Sequence, residues 1–259
     1  MRGVEKLVNI LDEIVMNKKK QIEEEKKIKS IADYEKEIEG KDIRNFCREM
    51  KMAKGMAIIS EIKKASPSRG IIKEDFNLED TVKAYEEQEF HAYSVLTERK
   101  YFHGRDEYIG EVKEISKRPV LRKDFIVDEY QLYQTRAIGA DAILLIATVL
   151  KDDLKYFFRK SRDLGLHPLV EMHSEEDIKY IEKADPYLIG INNRNLETFE
   201  TNIDHTEKMI KLLPEDKFII SESGIKNQDD IEYLKSLGVR GVLIGESLMK
   251  NLSNINKVF

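Results

Sequence analysis

The chain has 259 residues, of which 41% are apolar and 36% charged, with a net charge of −5. That length suits one α/β barrel with a sizeable core, and the acidic balance argues against a general nucleic-acid binder, which carries a dominant basic face. The single cysteine, Cys47, excludes an internal disulfide framework, and no run approaches the roughly 18 apolar residues of a membrane span.

The first residues, Met1-Arg2-Gly3-Val4-Glu5-Lys6, lead into a charged segment without the apolar region of a signal peptide. With one cysteine, this predicts a cytoplasmic protein. Residues 1–55 read as a helical extension: one long helix on Leu7, Leu11, Ile14, Val15 and Ile22, followed by a shorter one. The run Lys18–Lys20 is expected on its solvated face.

From residue 56 to 259 the pattern changes. Short apolar runs recur at 57–62, 92–96, 119–122, 142–147, 168–172, 187–191, 218–220 and 239–244. Each is too short for a buried helix and rich in Val, Ile or Leu, as fully covered parallel strands are. Charged segments with helical spacing separate them, among them Leu154/Phe157/Phe158/Ser161 and Ile231/Leu234/Leu237. Three such helices end in Gly139, Gly165 and Gly238, each shortly before a strand. A glycine there supplies the left-handed helix cap. Ser174, followed by Glu175-Glu176-Asp177, reads as a helix N-cap.

Eight strand–helix units across about 200 residues predict a closed (β/α)8 TIM barrel, taken with the extension as one domain. An open doubly wound sheet is the alternative, but no G-x-G-x-x-G follows the first strand.

In such a barrel, chemistry sits at the C-terminal strand ends. The first strand leads from Glu61 and Lys63 into Ser66-Pro67-Ser68-Arg69-Gly70, the third ends at Lys123-Asp124-Phe125 and the fifth at Glu171-Met172-His173. The sixth ends at Asn192-Asn193-Arg194, the seventh at Glu222-Ser223-Gly224 and the eighth at Gly245-Glu246-Ser247. Strand parity places Leu121 and Lys123 on the inward face and sends Asp124 to the helix side. Glu171 is inward, while His173 is read as a loop cap. The loops after strands seven and eight suit a phosphate, because glycine lets backbone N–H groups approach it; Ser66 faces the same region. Glu246 is an awkward neighbour for an anion unless its N–H binds and its carboxylate points away. No H-E-x-x-H and no Cys/His cluster supports a metal.

The segments Ser60–Ser68, Ser94–Glu98 with Tyr101-Phe102, Leu121–Phe125, Leu169–His173, Gly190–Leu196 and Ser221–Ile225 closely resemble the indole-3-glycerol-phosphate synthase family, in order over nearly the whole chain. One departure is Glu89-Phe90-His91, where the family usually has Gly-Ala, away from the strand ends. The resemblance implies a carboxy-lyase of tryptophan biosynthesis, closing 1-(2-carboxyphenylamino)-1-deoxyribulose 5-phosphate to an indole with loss of carbon dioxide and water. It implies Lys123 as general acid, Lys63 as a second lysine on the substrate and Glu171 as the carboxylate that takes the anilino proton. Glu61, Asn192 and Glu222 match positioning residues. Ser66, Arg194, Ser223, Gly224, Gly245 and Glu246 match phosphate and substrate positions, and Phe102 and Phe125 would line the aromatic slot.

The expectation is a monomer acting on a small phosphorylated substrate, with no cofactor, metal, nucleic-acid or membrane partner and no fused second enzyme. The rival readings are a Schiff-base aldolase, another phosphosugar isomerase, and a non-catalytic binding protein that kept the pocket. A Schiff-base lysine must be neutral, whereas Glu61, Glu171 and Glu222 would hold nearby lysines protonated.

Overall fold

The computed structural model describes residues 10–195 and 198–251. The expectations at Leu7, at the first six residues, at Leu196 and beyond residue 251 lie outside them. Before the barrel come three helices, α1 (Ile10–Ile28), α2 (Ile31–Ile38) and α3 (Phe46–Met52). The sequence reading had two. The long helix stops because Ser30 and Asp33 exchange bonds: Asp33 N donates to Ser30 Oγ at 3.2 Å and Ser30 N to Asp33 Oδ2 at 3.0 Å. This reciprocal cap satisfies the first N–H groups of α2 and starts a new helix.

The eight strands of the barrel are β1 (Ala57–Ile62), β2 (Ala92–Leu96), β3 (Val120–Lys123), β4 (Ala142–Ile146), β5 (His167–Met172), β6 (Leu188–Asn192), β7 (Phe218–Glu222) and β8 (Gly241–Ile244). Each pairs in parallel with its neighbours in sequence, and β8 closes on β1. The expected (β/α)8 barrel is therefore present, with strand ends shifted by one or two residues. Gly139, Gly165 and Gly238 all take positive φ, 90°, 81° and 87°, as helix caps require.

Alternation along the strands sorts two cores. Ala57, Ile59, Ala92, Leu121, Leu144, Leu169, Ile220 and Leu243 point inward and fill the barrel. Phe46 and Met50 of α3 join them and close the N-terminal end; full burial of each contributes about 1.5–3 kcal/mol. Ile62, Val95, Ile143, Val170, Ile189 and Val242 point outward beneath the helices. At the departure from the family pattern, His91 accepts the Ile58 N–H on Nδ1 at 3.1 Å, joining β1 to the approach to β2.

Candidate active site

One layer above the apolar filling, the inward positions carry charge. β1 supplies Glu61 and, just past its end, Lys63; β3 supplies Lys123, β5 Glu171 and β7 Glu222. Register places them side by side: Glu171 pairs with Gly190 on β6, and Asn192 with Glu222. Two glycines make room. A Cβ on Gly190 would lie 2.1 Å from Glu222 Oε1, and one on Gly245 would lie 2.3 Å from Glu61 Oε1. Both are far below contact distance, so carboxylates occupy space that side chains would otherwise fill.

Lys63 Nζ lies 2.5 Å from Glu61 Oε1. Lys123 sits between two carboxylates, in a short contact with Glu222 Oε2 and 3.3 Å from Glu171 Oε2. Burial works against the Lys123 ammonium, but Glu222, Glu171 and Glu61 outweigh it and raise its pKa above that of an ordinary lysine. Burial also opposes ionisation of Glu171, yet Lys123 and His173 hold that carboxyl well below the usual range. Glu222 goes the other way. Burial, reinforced by the Glu171 charge, pushes it up to about 8, and its Oε1 has no hydrogen-bond partner.

Above this layer lies a cavity of ≈ 470 Å³. Every residue singled out from the sequence lines it except Glu222, which is fully buried beneath Lys123. Phe102 and Phe125 form one wall, with ring centroids 6.1 Å apart. Opposite stand Ser66, Arg194 and the turns at Ser223-Gly224 and Gly245-Glu246. Ser223 and Gly224 both have positive φ, 68° and 85°. Arg194 Nη1 donates to Ser68 Oγ at 3.2 Å and to Phe199 O at 3.0 Å. The Glu246 carboxylate turns aside to Lys250 at 2.7 Å and Arg69 at 3.2 Å, with Arg194 at 3.8 Å. Asn192 accepts the Arg194 N–H at 3.0 Å.

Two expectations are overturned. His173 does not serve as a loop cap: Asp177 accepts its N–H at 2.8 Å, and its ring turns into the cavity wall, with Nε2 2.7 Å from Glu171 Oε1. Lys18 is not on a solvated face. It is 1% exposed, and its Nζ lies 2.8 Å from Asp124 Oδ1. Asp124 does face the helix side, as parity requires.

The chain as a whole is similar to known proteins. The sequence model of the family described as indole-3-glycerol phosphate synthase matches residues 11–258. A relative of that name from Thermoanaerobacter pseudethanolicus is 51% identical over 249 residues, covering 96% of this chain and 95% of the relative. Another, from Clostridium acetobutylicum, is 48% identical over 251 residues, 96% of this chain and 95% of its own. This chain belongs to the indole-3-glycerol phosphate synthase family. Among solved structures, that of KGPDC from Streptococcus mutans aligns with a TM-score of 0.57 at 11% identity, covering 78% of this chain and 94% of that one. That likeness concerns the barrel fold alone.

Set in this family, several parts of the pocket had escaped the sequence reading. Ile10, Leu11 and Ile14 of α1 reach over the cavity, and α1 is tied to the loop after β2 through Tyr101 Oη, which donates to Glu13 Oε1 at 2.7 Å. Glu98, 2% exposed, shapes that loop by accepting the N–H groups of Lys100, Tyr101 and Phe102 at 3.2, 2.6 and 3.1 Å. This fixes Phe102 against Phe125. Glu98, three residues before the Tyr101-Phe102 pair, was the available signal.

Proposed function

We propose that this chain converts 1-(2-carboxyphenylamino)-1-deoxyribulose 5-phosphate to indole-3-glycerol phosphate, releasing carbon dioxide and water, by general acid–base catalysis. The observation that carries the reading is Lys123 Nζ at the closed end of the cavity, between Glu171 and Glu222 and held protonated. As the aromatic carbon attacks the ketone, negative charge grows on the carbonyl oxygen, and the Lys123 ammonium gives it a proton. Carbon dioxide then leaves the same ring carbon. Lys63, on its own carboxylate Glu61, holds the substrate and protonates the departing hydroxyl, while Glu171 takes the anilino proton. Glu222 lies beneath Lys123 and positions it.

The cavity supports a split of roles along its length. Phe102 and Phe125, roofed by Ile10 and Ile14, exclude water from the reacting carbons. Ser66, Arg194 and the N–H groups at Ser223-Gly224 and Gly245-Glu246 hold the phosphate. Burial lowers the Arg194 pKa, but a guanidinium stays charged here. Only protons, carbon dioxide and water are exchanged, so the chemistry calls for no redox cofactor.

A Schiff-base lysine is disfavoured by the same charges, since a protonated amine is not a nucleophile. Borohydride with substrate should trap no adduct on Lys63 or Lys123. Among the described residues the exposed large apolar side chains, Met16 and Ile28 at well-separated positions of α1, then Met52, Ile71, Ile115, Tyr156 and Leu212, are scattered along the chain, which supports a monomer. The test is to add the carboxyphenylamino-deoxyribulose phosphate and follow indole fluorescence. Turnover is expected; its absence in the wild-type protein overturns the assignment.

A further inference from the structure

At the floor of the cavity, three carboxylates, Glu61, Glu171 and Glu222, share the site with two ammoniums, Lys63 and Lys123. Lys63 answers Glu61, and Lys123 is divided between the other two. Against the two ammoniums one carboxylate is left over, and in a buried site such a charge is answered by a further cation or by a proton. The two partners of Lys123 are unlike. Glu171 has both oxygens engaged, Oε2 by Lys123 at 3.3 Å and Oε1 by His173 Nε2 at 2.7 Å. Glu222 has only Oε2 engaged, and its buried Oε1 has no partner. His173 has a side chain only 10% exposed, and its Nδ1 is buried without a hydrogen-bond partner.

We propose that His173 is a positioning residue that makes this carboxylate pair unequal, holding Glu171 ionised and in place as proton acceptor and leaving Glu222 as the member of the pair that takes up a proton. The inference rests on reading the site as the acid–base site for ring closure. A cationic donor on Glu171 stabilises its charged form, and a carboxyl with an unanswered oxygen keeps its proton more readily. The charged and titratable groups facing His173 are Glu171 on the strand just before it, Lys123 and Glu222 across the barrel, Asp177 in the following turn, and His205 from the helix Asp204–Ile210. Burial opposes the imidazolium, but Glu171 prevails and its pKa lies above that of an ordinary histidine.

Two readouts test this, and one needs no turnover. In ¹⁵N-histidine NMR of the full chain, His173 should stay doubly protonated to higher pH than a free imidazole, and Glu171→Gln should bring its titration back towards the ordinary range. In steady-state kinetics, His173→Leu should lower kcat about 100-fold while KM changes less than about threefold, as expected for a displaced catalytic group. The acidic limb of the kcat profile should move to higher pH, because Glu171 loses the cation that keeps it ionised. His173→Gln, which keeps an N–H donor, should recover most of kcat. A His173→Leu enzyme with wild-type kcat and an unmoved acidic limb overturns the proposal, as does a His173 titration indifferent to Glu171→Gln. If the wild type makes no indole while the His173–Glu171 coupling is present, the assigned reaction falls and the pair stands.

Discussion

The two faces of β3 carry two buried charge clusters built to different ends. On the outer face Arg122, 1% exposed, donates from Nε to Thr97, from Nη1 to Thr135, and from Nη2 to Asp106, Asp124 and Gln134. Asp124 is answered in turn by Lys18, Thr97 and the Phe125 N–H. On the inner face Lys123 has a surplus of carboxylates, and one carboxylate oxygen has no partner. The outer cluster opens onto α1 and the helix layer; the inner one opens onto the cavity. A buried network with its carboxylates answered fixes geometry, whereas one left incomplete has a proton that can move.

If that contrast is right, the largest loss of activity comes from the inner face. Lys123→Ala should lower kcat by about 10³-fold or more while substrate still binds, since the donor acts in the transition state; stopped-flow indole fluorescence with a separate binding titration checks it. Near-normal turnover would remove Lys123 as the acid. Next comes the space behind the cluster. Gly190→Ala would drive a Cβ into Glu222, and the displaced carboxyl should cost about 100-fold in kcat with little change in melting temperature. The outer face should respond in the opposite currency. Arg122→Met leaves Asp106 and Asp124 buried with fewer partners, so urea unfolding should show a loss of about 3–5 kcal/mol. The folded fraction should keep kcat within about tenfold of the wild type, because no reacting group has gone.

Much of this contrast was legible in the sequence. Period-two alternation separated Lys123 from Asp124 and placed Glu171 inward, because a barrel strand has only two faces. The eight apolar runs and the glycines at 139, 165 and 238 carried the topology. Lys18 was misread because its neighbours Lys19 and Lys20 are exposed, and only the docking of α1 on the strand ends turns it to Asp124. His173 was misread because it stands just past β5, two residues after its partner Glu171, where spacing alone does not distinguish a ring turned inward from a cap. The break between α1 and α2 lay in the Ser30–Asp33 pair, a short-range signal that the helical period overran. The steric use of Gly190 and Gly245 depends on side chains from neighbouring strands, which no local pattern reports.

The most delicate difference between the faces is where a proton resides. On the outer face burial opposes the Asp124 charge, but Lys18 and Arg122 keep its pKa below the ordinary 3.8, so its stabilisation is present above that pH and lost below it. On the inner face Glu222 is raised from 4.5 to about 8. The folded protein therefore holds a proton that the unfolded chain has released, and this contribution to stability is lost as pH rises through that window. Replacing Glu222 with Gln should flatten that part of the stability profile.

Carboxyl-carbon NMR of the ¹³C-glutamate-labelled protein measures the same proton directly. One resonance should titrate near pH 8 and vanish in Glu222→Gln. If every glutamate carboxyl instead titrates below about pH 6, within the ordinary spread for this residue type, the inner cluster holds no surplus proton and the contrast between the two faces fails.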